Sequence, residues 1–249
     1  MKDDADDWAK LSAEDQLPLG LALDDSALFE NFLLRDDNTL AVNTLKELAL
    51  GVTRNGKQGG EYCYLWGGGS PGLTHLLQAT CHLASARGRA AMYVDLNVKE
   101  DLSPALFDGI ETLDIICLDG LDAIAGLKDW EANLFTAFNR IKESTASLVV
   151  AAKLTPANLP IALPDLKSRL QSGLTLKISP LDDAQKREAL ILRAEARGMS
   201  MSGAVADYIM LRADRGLPAL IEVLDKLDES TLQQQRQLTV PLVKLTLGW

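Results

Sequence analysis

The sequence predicts an α/β fold, a phosphate-loop-type parallel sheet sandwiched by helices and followed by a small all-helical domain. Between residues 24 and 179, five short apolar runs alternate with helical periodicity: YCYLW (62–66), AAMYVDL (90–96), LDIICL (113–118), SLVVAA (147–152) and LTLKI (174–178). Runs apolar almost throughout, rather than at every second residue, fit parallel strands covered on both faces by helices. After Ser179-Pro180 only helical patterns remain. A glycine-rich segment, WGGGSPGLTHLL (66–77), joins the first run to a helical pattern, an arrangement in which loop and helix N–H groups converge on phosphate oxygens.

In chain order, residues 1–23 form an acidic leader. Asp3, Asp4, Asp6, Asp7, Glu14 and Asp15 stand there against Lys2 and Lys10, with too few apolar groups to offset the entropy of ordering, so disorder is expected. Residues 24–179 form the αβα section. THLLQATCHLASAR is a helix closed by Gly88, and KDWEANLFTAFNRIKES places Trp130, Leu134, Phe138 and Ile141 on one face. Residues 180–249 contribute DDAQKREALILRAEARG, GAVADYIMLRAD, LPALIEVLDKLDE and TVPLVKLTLGW, read as a helical domain.

A net charge of −10 argues against a broad surface for duplex DNA and favours a protein partner. Cys63, Cys81 and Cys117 sit in apolar stretches without metal-ligand spacing, which reads as buried reduced thiols and a cytoplasmic protein. No apolar run approaches the roughly 20 residues of a membrane span, and MKDDADDWAK is acidic where a signal peptide would be basic. His75 and His82 have no third ligating group beside them and read as helix residues.

The segment 66–77 nearly spells G-x-x-x-x-G-K-[ST], with Gly67, Gly72 and Thr74 in place and Leu73 at the lysine position. A plain tight turn is the bland reading of GGGSPG. Its position between strand and helix, with Thr74 after it and a later apolar strand ending in Asp119, favours an anion cradle built by Gly67, Gly68, Gly69, Ser70, Pro71, Gly72, Leu73, Thr74 and His75. Thr74 and Asp119 are the expected magnesium-side oxygens. Three departures weaken the chemistry. Leu73 carries no charge to neutralise phosphates, Gly120 stands where an acid would activate water, and Pro71 removes one backbone donor. Asp122 lies two positions beyond Gly120. These residues suit a nucleoside diphosphate, held with poor hydrolytic capacity.

GGGSPGLTHLLQA resembles the G-G-x-G-x-G-K-T-H-L-L-x-A loop of the DnaA branch of the AAA+ superfamily, LDGLDAIAG is similar to its Walker B segment, and LPDLKSRL to its box VII. With no DNA-binding domain after the helical lid, the chain is most similar to the Hda family, whose members act with the replication sliding clamp to promote ATP hydrolysis by the DnaA initiator. What this implies is a fold of the AAA+ type with a lid, and a regulator rather than an enzyme. Arg169, in the box VII match, becomes an arginine finger acting in trans on the partner's nucleotide. The own ligand is ADP or another nucleoside diphosphate, with magnesium, and its base lies against Phe32, Leu33 and Leu34. The lid sensor position is filled by Pro218 with Arg215 nearby, and the first sensor by AAKLTP, where Ala151, Ala152 and Lys153 offer no carboxylate. Strong direct DNA binding and membrane association are not expected; a homo-oligomer is left open. A self-sufficient AAA+ ATPase and a DnaA-like loading module are the alternatives.

The family also begins with a clamp-binding peptide, and QLPLGL fits the form Q-L-x-L-x-L. Gln16 would hydrogen-bond while Leu17, Leu19 and Leu21 enter apolar pockets of the clamp, with Pro18 lowering the cost of ordering. The rival reading packs these leucines on the body. Gln16→Ala, or removal of residues 1–21, is therefore expected to abolish clamp binding in a pull-down while thermal unfolding stays nearly unchanged. Lowered stability with clamp binding retained would favour the rival.

Overall fold

Three of the five predicted strands lie at the centre of the sheet. β1 (Tyr62–Trp66), β2 (Ala91–Asp95), β3 (Ile115–Asp119), β4 (Ser147–Ala152) and β5 (Leu174–Lys177) pair in the order β2-β3-β4-β1-β5, every pair parallel. The computed structural model describes residues 23–24, 26–52, 60–69, 71–231 and 238–249. β3 and β4 are buried along their whole length, the burial expected of strands with helices on both faces. β5 differs. It is an edge strand, and only Leu176 of its residues is fully buried.

Alternate side chains of β1 enter separate cores, as the two-residue strand period requires. Tyr64 joins Ile116, Leu118 and Val150 under α3 (Lys128–Glu143) and α4 (Pro164–Gln171). Cys63 and Leu65 join Leu76, Leu77 and Val149 under α1 (Thr39–Ala49) and α2 (Leu73–Ser85). All three cysteines are buried. The long connection from β2 to β3 contains short 3-10 turns at Leu96–Asp101, Pro104–Phe107 and Ile110–Thr112, elements too short to show a periodicity in the sequence.

The C-terminal helices α5 (Asp183–Ala196), α6 (Gly203–Arg212), α7 (Leu217–Thr231) and α8 (Val240–Leu247) share a third core around Leu190, Ile209, Leu224 and Val243. Asp182 starts α5 with a reciprocal capping box to Gln185. The N-terminal segment is tied to this start. Arg35 donates from Nη1 to Gln185 Oε1 at 2.8 Å and from Nη2 to the Ser179 carbonyl at 2.9 Å.

One buried acid fixes the placement of α4. Glu131 of α3, 1% exposed, accepts from the N–H groups of Gly126 (2.6 Å), Ala162 (3.0 Å) and Leu163 (2.7 Å). Leu163 is the cap residue of α4 and provides no side-chain acceptor, and Pro164 follows with no N–H to satisfy. The carboxylate thus does from a neighbouring helix what a capping side chain would do locally. Glu131→Ala would take the shared acceptor from three amides, two of them on the exposed residues Gly126 and Ala162 where water can replace it, so a loss of about 1–2 kcal/mol in urea unfolding is expected, with Glu131→Gln intermediate because one acceptor oxygen remains. A change below about 0.5 kcal/mol in the alanine variant would show that the anchor is dispensable.

Candidate functional site

The glycine-rich loop leaves the C-terminal end of β1 and turns into α2. Two of its glycines are required by space. A side chain on Gly67 would collide with the Ile178 carbonyl, and one on Gly72, which has φ +92°, would lie 2.9 Å from the Phe32 ring. Gly69 also has positive φ, while a side chain at Gly68 would meet open space. Ser70 lies outside the described residues. Helix α2 is capped by Gly72 without any side-chain acceptor, which leaves the first-turn N–H groups of Leu73, Thr74 and His75 without intrahelical partners. Leu73 is 8% exposed and joins the core beneath α2, so an apolar side chain replaces the mobile cation of a lysine here.

Thr74 and Asp119 meet directly. Thr74 Oγ1 donates to Asp119 Oδ2 at 2.5 Å, and Tyr93 Oη donates to the same oxygen at 3.1 Å. Burial pushes the Asp119 carboxyl above its ordinary value, opposed by the hydrogen bond from Thr74. Among the described residues, no group of three or more His, Cys, Asp or Glu side chains is placed to hold a metal ion. Any magnesium would have Thr74, Asp119 and phosphate oxygens for ligands.

The position after Asp119 favours glycine. Gly120 has φ +72°, and a side chain there would collide with the amide of Asn97. That amide is held in place by Asp95, which accepts from Asn97 Nδ2 at 2.7 Å and from Asn97 N at 2.9 Å. Asp122 lines the cavity, and its Oδ2 accepts from the Lys153 N–H at 2.7 Å, which ties the end of β4 to the turn after β3.

Above the loop opens a cavity of about 540 Å³. Its floor is the loop with Thr74, His75, Asp119 and Gly120; the lid contributes Arg193, Leu217, Pro218 and Ile221; the N-terminal segment contributes Asp24 and Ala27. Phe32, Leu33 and Leu34 do not line it. Phe32 covers Gly72 and stacks obliquely on His75, with ring centroids 5.6 Å apart, and Leu34 is 57% exposed. Arg215 is also outside the cavity, paired at the surface with Asp183 at 3.0 Å. Arg169 lies on α4 away from this cavity, half-buried, and among the described residues its guanidinium has no hydrogen-bond or ion-pair partner. Gln16, Leu17, Leu19 and Leu21 are outside the described residues.

The residue that sequence reasoning missed is Arg193. Its Nη2 donates to His75 Nδ1 at 2.6 Å, while His75 Nε2 donates to the Leu28 carbonyl at 2.7 Å. The ring is therefore neutral, carrying its proton on Nε2. A signal existed in the sequence: Arg193 shares the inward face of α5 with Ala189, Leu190 and Ala194, an unusual place for a cation.

A five-stranded parallel sheet, a glycine loop leading into α2, an acid closing β3 and a helical lid over the cavity define a nucleotide domain of the AAA+ class. Residues 23–177 match the family model of the bacterial DnaA ATPase domain, and residues 183–247 match that of the Hda lid domain. The chain belongs to this family: it is an Hda-like AAA+ protein of the DnaA branch, a DnaA-related replication regulator. It is 36% identical over 234 residues to an uncharacterised protein of Haemophilus influenzae, covering 94% of this chain and 98% of that one. Domain III of Thermotoga maritima DnaA superposes with a TM-score of 0.70 at 22% identity, over 91% of this chain and 98% of that chain. AMPPCP-bound DnaA of Aquifex aeolicus gives 0.63 at 20% identity, over 86% and 69%. Among the described residues no helix is long and apolar enough to cross a membrane.

Burial first, and the Arg193 guanidinium second, hold the His75 imidazole down to about 4 from 6.5. Between those values the unfolded chain takes a proton that the folded chain refuses, so stability is lost as pH falls through the window. His75→Gln is expected to remove a pH dependence worth up to about 3 kcal/mol across it, measured by urea unfolding at paired pH values. Parallel wild-type and variant profiles would refute this.

Proposed function

We propose that this protein is an accessory activator of hydrolysis, holding a nucleoside diphosphate in its own cavity and inserting Arg169 into the ATP site of DnaA. The observation that carries the reading is the state of Arg169. It has no partner among the described residues, it lies off the chain's own cavity, and its helix is anchored by the buried Glu131 carboxylate. An arginine with no ion pair at home is free to stabilise charge developing on a partner's γ-phosphate, an effect of roughly 10³–10⁵ in rate for fingers of this kind.

The same site favours holding over turnover. Its first-turn amides and glycines fit phosphate oxygens, and the AMPPCP-bound DnaA structure, which shares the fold, supports a nucleotide as the ligand class. Leu73 in place of a lysine and Asn97 filling the space beside Gly120 argue against self-sufficient hydrolysis. Thr74 and Asp119 would hold magnesium, which when bound neutralises phosphate charge. Family resemblance supplies the tether, the peptide from Gln16 to Leu21 on the sliding clamp, and the partner, DnaA.

The test is single-turnover hydrolysis of ATP preloaded on DnaA, with clamp on DNA and this protein added. Arg169→Ala is expected to abolish the stimulation while leaving clamp binding intact, and Arg169→Lys to rescue poorly, since an ammonium lacks the planar fork that grips two oxygens. Near-normal stimulation by the alanine variant would sink the arginine-finger reading.

A further inference from the structure

The walls of the cavity are acidic. Among the described residues, Asp24, Asp119, Asp122 and Glu222 line it against two cations, Lys153 and Arg193. Lys153 is exposed, where water screens its charge. Arg193 is not. Burial and the neighbouring Arg197 hold its guanidinium below the ordinary arginine value, so its charge is desolvated.

That charge lacks a counter-ion. No carboxylate among the described residues comes within ion-pair distance, and its nearest polar partner is the neutral His75. The two acids that favour its charge, Asp24 and Asp225, are engaged elsewhere: Asp24 Oδ1 accepts from the Ser26 N–H at 2.9 Å, and Asp225 pairs with Arg197 at 2.7 Å. A desolvated cation without a partner is costly to keep, and the cost is recovered when an anion enters. The guanidinium sits 2.6 Å from the third residue of α2, at the helix end whose amides are open.

We infer that Arg193 is a phosphate-contacting residue of the cavity, supplying from the lid the positive charge that Leu73 withdraws from the loop. The inference rests on the proposed nucleotide site and adds a residue to it. It also makes the lid part of the binding site, because α5 carries the cation and the loop carries the amides. A diphosphate is the ligand such a pairing suits, since the fork reaches two oxygens at once.

The test is fluorescence titration of the full-length protein with N-methylanthraniloyl-ADP, with unlabelled ADP, inorganic pyrophosphate and adenosine as competitors. Arg193→Ala is expected to weaken both ADP and pyrophosphate roughly 10- to 100-fold and to leave competition by adenosine unchanged. Arg193→Lys should fall between, and Arg193→Gln, which keeps the length without the charge, should match alanine and serves if the alanine variant does not fold. Unchanged affinity for ADP and pyrophosphate in a folded variant overturns the inference while the nucleotide site stands. So does a loss confined to ADP and adenosine, which would place the arginine against the nucleoside. A wild-type protein that binds neither ADP nor pyrophosphate overturns both the inference and the site.

Discussion

One oxygen of Asp119 organises the site. It accepts from Thr74 on α2 and from Tyr93 on β2 while belonging to the end of β3, so three elements distant in sequence meet on a single buried acceptor. A carboxylate removed from water demands such donors, and the cost of losing one exceeds that of an ordinary exposed hydrogen bond. The first turn of α2 is therefore held against the sheet, and the glycine loop between β1 and α2 has its ends fixed.

Around this fixed point the shape of the loop is set by the backbone. Backbone amides, glycine conformations and the threonine-aspartate contact are present. The side chains beside it are engaged within the chain: Leu73 is turned into the core, Asn97 stands beside Gly120, and Asp122 accepts from the Lys153 amide. Backbone features survive substitution because they depend on the path of the chain, whereas each side-chain role depends on one residue type.

Much of this was legible in the sequence for the same reason. β1, β3 and β4 announce themselves because central parallel strands must be apolar on both faces, and the loop because Gly67 and Gly72 occupy positions no side chain fits. The lid emerged from helical periodicity alone, and its shared core around Leu190 and Val243 accounts for it. Legibility ended where two distant residues had to be paired. Nothing in LNVKED says that Asn97 will stand over Gly120, nor does WEANL show that Glu131 reaches the amides of 162 and 163. Nor does FENFLL show that the Phe32 ring will stand over the loop at Gly72 while Asp24 and Ala27 line the cavity wall. Arg215 followed from alignment to a motif, and an exposed partner, Asp183, holds it at the surface.

The anchor of α4 carries a consequence for how such a protein can vary. Among the described residues the hydrogen bonds to the Glu131 carboxylate come from backbone amides, and an amide looks the same whichever side chain is attached to it. Residue 162, which is exposed, can therefore drift in identity without moving the helix, proline excepted because it brings no hydrogen, whereas Leu163 also packs against the core. Gly126 is narrower, since its φ of +84° favours glycine. The direction in which Arg169 is presented is thus stored in one glutamate and one backbone path. A comparison of sequences that scored position 162 by residue type would read it as unconstrained, although its backbone is held by the glutamate.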